Sequence, residues 1–125
     1  MKSNHFPSQD CNAVVDRIMG LSDGVLSMAK NGGYIALKIG TGPNSDAVTV
    51  REGRVSFFIR STGTLNRARA EGFAPALVDA SGLSNKDKYR FPGLRLSDID
   101  GHEALFREIV RDSISTILDR RPKGK

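Results

Sequence analysis

Residues 47–60 read "AVTVREGRVSFFIR". Val48 and Val50 alternate with polar positions before the "REGR" turn, and Val55, Phe57 and Ile59 alternate after it. A period of two places successive side chains on opposite faces of a strand, so these five share one face. Thr49, Ser56, Phe58 and Arg60 fall on the other, with Arg51 and Arg54 bracketing the turn. Two such runs joined by a short glycine-containing connection form an antiparallel hairpin.

Upstream, "VLSMAK" and "YIALKI" flank "NGG", and Asn-Gly is a strong hairpin signal because both residues accept positive φ. Ile35, Leu37 and Ile39 alternate there with Tyr34, Ala36 and Lys38. "GTGPNS" at 40–45 is a loop, so four strands follow one another as an antiparallel meander. Such a sheet requires an apolar cover on at least one face.

Two helices can supply that cover. Cys11, Val14, Val15, Ile18 and Leu21 recur at helical spacing after a possible cap at Ser8 or Asp10, and Gly24 in "SDG" stops the run. Over residues 102–119, Leu105, Phe106, Ile109, Val110, Ile114, Ile117 and Leu118 form one stripe. Asp98 or Asp100 can cap that helix, and Arg120 and Arg121 suit its negative end.

The intervening text is harder to assign. "TLNRARAEGF" reads as a short helix starting after Thr64, and "APALVDASGL" as a helical turn or an irregular crossing that Pro75 separates from it. In "NKDKYRFPGLRL", residues 85–96, Pro92 belongs at a sheet edge or bulge because it cannot donate to a ladder. The half from Leu94 to Leu96 reads as strand, and Phe91 is expected in the core with Phe57 and Phe106. The expected fold is α+β: an N-terminal helix, an antiparallel meander of about four to five strands, and a C-terminal helix packed on the sheet. Residues 1–8 form a loose arm, 9–120 a single α+β domain and 121–125 a basic tail.

With 38% hydrophobic and 26% charged residues, the 125-residue chain has the composition of a soluble globular domain. No apolar run approaches the length of a membrane helix, and "MKSNHFPSQD" lacks the apolar middle of a secretory signal, so the expected location is cytoplasmic, away from membranes. The single cysteine, Cys11, lies on the apolar side of its helix and reads as a small buried hydrophobe.

No complete catalytic motif is present. The chain has no G-x-S-x-G, H-E-x-x-H, P-loop, G-x-G-x-x-G or D/E-x-K pattern, and neither His5 nor His102 lies in an orienting motif. No catalytic residue, metal or cofactor is therefore expected. An enzyme site built from Asp98, Asp100 and His102 would need a concave pocket around all three.

The net charge of +5 is unevenly placed: residues 51–95 hold nine Lys/Arg against four Asp/Glu, while the two flanking segments are balanced. Concentrated basic charge is the footprint of an anionic partner. Arg51, Arg54, Arg60, Lys86, Lys88, Arg90 and Arg95 are the candidate contacts for nucleic acid or another polyanion, and Tyr34, Phe58 and Tyr89 the candidate rings for stacking on bases. The alternative is a protein-interaction module or small homodimer in which a partner buries Phe58 and Tyr34.

The segments "KNGGYIALKI", "AVTVREGRVSFFIR" and "FPGLRLSDIDGHEALFREIVRDSI" together resemble an uncharacterised small α+β domain of YdhG/YjbR/CyaY-like architecture. It is similar to a domain of unknown function found beside nuclease-like domains in predicted transport proteins. The resemblance spans residues 25–117 and implies an accessory module, associated with nucleic acid and without an active site to carry over.

Overall fold

Residues 9–30, 33–40, 46–51, 53–78 and 88–120 are described by the computed structural model. The expected arm at 1–8, the tail at 121–125, most of the 40–45 loop, the Asn-Gly pair at 31–32 and the charged entry before Lys88 lie outside these residues. The meander is present: β1 (Ser27–Lys30), β2 (Ile35–Lys38), β3 (Asp46–Arg51) and β4 (Arg54–Phe58) are consecutive antiparallel neighbours. Two later strands extend it, β5 (Ala76–Leu77) and β6 (Lys88–Pro92), in the order β1-β2-β3-β4-β6-β5. Among the described residues the sheet thus has six strands, extending the expected meander of about four to five. The additional edge is the two-residue β5, too short to show any period in sequence.

Register fixes which side chains stack. Ile35 lies opposite Val50, Leu37 opposite Val48, Val48 opposite Phe57, and Val55 between Val50 and Phe91. These residues form one apolar face. The four helices among the described residues, α1 (Gln9–Leu21), α2 (Thr62–Ala70), α3 (Leu96–Gly101) and α4 (Glu103–Arg120), gather on that side: α1 and α4 touch the sheet, α2 packs on α4, and α3 on both α1 and α4. Cys11, Phe57, Phe91 and Phe106 are buried as the sequence implies.

Capping sets the helix limits. Ser22 continues the helical bonding of α1, after which Asp23 and Gly24 adopt positive φ (56° and 82°) and turn the chain toward β1. α2 starts at Thr62, earlier than expected, because Ser61 rather than Thr64 caps it; the Ser61 hydroxyl accepts from the Thr64 N–H at 3.3 Å. The segment Leu94–Leu96 is not a strand. Gly93 (φ 70°) ends β6, the Asp98 carboxylate accepts from the Arg95 N–H at 2.9 Å, and Leu96 opens α3. Alternation over three residues cannot be told from the first apolar positions of a helix, and the cap decides between them.

The closing stripe carries two polar insertions. Ser113 and Thr116 are buried, whereas Leu118 is 48% exposed. Ser113 meets the end of β4: its hydroxyl accepts from the Phe58 N–H at 3.0 Å and donates to the Phe58 carbonyl at 3.1 Å. A strand ending under a helix leaves backbone groups that need partners, and a hydroxyl meets this need where an apolar side chain could not. Pro92 behaves as expected, since β5 reaches only as far as Arg90 and, among the described residues, the outer side of Pro92 has no ladder partner. No helix among the described residues is long and apolar enough to cross a membrane.

Candidate anion-binding face

Alternation places the remaining strand side chains on the face away from the helices. Arg51 pairs with Arg54, Thr49 with Ser56, Ser56 with Arg90, Phe58 with Lys88, and Tyr34 lies one step beyond the Ile35–Val50 pair, beside Arg51. The Arg51 guanidinium sits over the Tyr34 ring, 4.8 Å from its centroid, and the Lys88 ammonium lies 5.8 Å from the centroid of Phe58. Arg51, Arg54 and Arg90 are exposed, and none of them forms an ion pair among the described residues.

The electrostatics of Lys88 record this crowding. Burial disfavours its charge, Arg51 and Arg90 push in the same direction, Asp46 opposes them, and the net effect is a pKa below the ordinary lysine value. A cation held near other cations and partly withdrawn from water gains most from an incoming anion. Among the described residues Asp46 is an acidic group on this side, and it is engaged by Lys38 at 3.2 Å. Lys38 belongs to the same face as Tyr34 and Ala36, and its place in the alternating "YIALKI" run is the sequence signal that could have added it.

Of the candidates named from sequence, Tyr34, Arg51, Arg54, Phe58, Lys88 and Arg90 come together here. Three others do not. Arg60 lies past the end of β4, where its side chain pairs with Asp119 and its N–H donates to Asp112 at 2.8 Å, so it faces α4. Tyr89 sits opposite Phe57, on the helix-covered side, and packs half-buried against the core. Arg95 precedes α3, away from the strands, and meets Arg51 and Arg54 only around a cavity at the hairpin end. Lys86 lies outside the described residues. Phe58 also departs from its expected role: it is 5% exposed, so Lys88 and the surrounding chain already cover the ring. Tyr34, half-buried, is the accessible ring of the set.

Asp98, Asp100 and His102 do not form a site. Asp98 caps α3, Asp100 pairs with Arg17 at 2.8 Å, and His102 Nδ1 bonds Glu71 at 2.5 Å. Among the described residues, no three His, Cys, Asp or Glu side chains assemble as a metal would require. Glu71 is instead the centre of a structural clasp. Arg67 bonds it through Nε at 2.9 Å and reaches Glu108 on α4 through Nη1 at 2.8 Å, while the edge-on Phe73 ring lies 4.9 Å from His102.

The Arg67 hydrogen bond first, and the His102 bond second, hold the Glu71 carboxyl below its usual range. A depressed carboxyl contributes stability above its unfolded pKa and loses it as pH falls through the folded one. Thermal midpoints measured on acidification are therefore expected to fall below the ordinary glutamate range, and Glu71→Gln to flatten that part of the profile. An unchanged profile in Glu71→Gln would remove the clasp as the cause.

The fold and this face define a small α+β domain, with helices on one side of an antiparallel sheet and a cluster of cations on the other. No protein-family model matches the chain, and neither does any curated protein or solved structure.

Proposed function

We propose that the protein is a non-enzymatic binding domain whose sheet face opposite the described helices contacts a phosphate-bearing polymer, with single-stranded nucleic acid the favoured partner. The observation that carries this reading is the placement of Arg51, Arg54, Lys88 and Arg90 on adjacent strands beside the half-buried Tyr34, with no ion-pair partner for any of them among the described residues. Cations at strand spacing follow a phosphate backbone, and an accessible ring accepts an unstacked base. The resemblance to an accessory module associated with nucleic acid points the same way.

Binding of a generic single-stranded oligonucleotide should weaken steeply with salt. Four phosphate contacts to a single strand give a slope of about −3 in log K against log salt. Fluorescence anisotropy over a salt series measures it, and binding indifferent to salt would overturn the reading. A second reading, assembly with another copy, rests on the edge strand β1, which has no neighbour on its outer side among the described residues and leaves Met28 47% exposed. A salt-insensitive dimer in light scattering, with no oligonucleotide affinity, would favour it.

A further inference from the structure

Of the three lysines among the described residues, Lys30 is exposed and Lys38 is held by Asp46, whereas Lys88 is in neither situation. It is half-buried, its ammonium lies 5.8 Å from the centroid of Phe58, and it has no ion pair or side-chain hydrogen bond among the described residues. Nor is its nitrogen a buried atom lacking a partner, so a reagent in solution reaches it. Register places Arg90 two residues along β6 on the same face, and Arg51 is close enough for its charge to act on the amine. We propose that Lys88 is a nucleophilic amine that captures a phosphate-bearing aldehyde as an imine.

A lysine attacks a carbonyl only as the neutral amine, and two settings favour that form: contact with an apolar group and proximity to other cations. Lys88 has both, in the Phe58 ring and the two arginines, and its depressed pKa follows from burial first. The same arginines attract anions, so an aldehyde that carries a phosphate is favoured over a neutral one. The amine lone pair forms the C–N bond while the C=O π pair moves to oxygen. One amine proton reaches that oxygen through solvent, and the hydroxyl then leaves as water with the second, giving the imine without oxidant or reductant. In a single strand the two groups occur together at an abasic site, whose ring-opened sugar carries an aldehyde between phosphates. The strand as carrier rests on the function proposed above; the reactivity of the amine does not, because a small sugar phosphate presents the same chemistry.

The test exposes the protein to glyceraldehyde 3-phosphate, to glyceraldehyde, and to one single-stranded oligonucleotide made with or without an abasic site. Borohydride then reduces any imine to a stable secondary amine, which peptide mapping by mass locates. Lys88 is expected to be labelled several times faster than Lys30 or Lys38, faster by the phosphorylated aldehyde than by glyceraldehyde, and to cross-link to the abasic strand but not the intact one. Lys88→Arg keeps the cation but cannot form an imine, so the cross-link should be lost while the intact strand still binds. Equal labelling of Lys88 and Lys30, or a cross-link that survives Lys88→Arg, overturns the proposal. If the intact strand binds but no aldehyde labels Lys88 ahead of the other two lysines, the nucleophile is wrong and the face stands. If glyceraldehyde 3-phosphate labels Lys88 first while neither strand binds, the nucleophile stands and the face is wrong.

Discussion

Arg51→Glu combined with Arg90→Glu is expected to reduce oligonucleotide affinity by at least about 10²-fold at low salt, with the folded protein intact. A hydrogen bond to a charged group contributes roughly 1.5–3 kcal/mol, so two lost contacts alone account for about 3 kcal/mol or more. Reversing the charge adds repulsion from the phosphates that remain. Both side chains are exposed, and neither forms an ion pair among the described residues, so reversal leaves no carboxylate stranded within the protein. The Lys88 ammonium, now near two carboxylates rather than two guanidiniums, should recover toward an ordinary lysine pKa, which a titration of its side-chain resonances reads directly. Arg60→Gln is the control: its guanidinium pairs with Asp119 on α4, and affinity should be unaffected. Affinity retained within about twofold in the double variant would remove the sheet face as the binding surface.

That control differs from Arg54 in only one respect legible at the level of sequence: distance from the hairpin turn. Alternation in "AVTVREGRVSFFIR" places Arg54 and Arg60 on the same side of an ideal strand, but β4 stops at Phe58, where Ser113 bonds both backbone groups of that residue. A strand end fixed by a side chain 55 positions away is invisible to local periodicity. The meander, both outer helices and the three core phenylalanines were legible because each repeats its pattern over several residues, which is where pattern reading is strongest. Tyr89 shows the reverse case. In "KYRFP" every residue is aromatic, cationic or proline, so composition does not reveal phase, and only the pairing of Tyr89 with Phe57 assigns it to the helix side. The cavity at the hairpin end was legible residue by residue but not as a group, since Arg95 comes to its lining through the turn at Gly93 rather than along a strand.

Phe106→Ala should produce the largest loss of stability, about 3–5 kcal/mol in chemical denaturation, against a total of roughly 5–15 kcal/mol for a domain. The ring is fully buried and lies 5.2 Å from Phe73, 5.8 Å from Phe91 and 6.0 Å from Phe57 by centroid. These neighbours belong to three different segments: the chain after α2, β6 and β4. Collapse into the vacated space is restricted, because Phe57 and Phe91 are fixed by strand pairing on either side of β4 and β6. The cost therefore includes a cavity term as well as lost transfer energy and ring contacts. Phe106→Leu, which fills much of that volume, should recover more than half of the loss, and equal destabilisation by the two would mean that ring geometry rather than filled space governs the site. Because the core lies on the helix side of the sheet and the cations on the other, Phe106→Leu should lose oligonucleotide affinity only in proportion to its unfolded fraction. A larger loss in the folded protein would show that helix packing sets the spacing of Arg51, Lys88 and Arg90, and that the two faces are coupled.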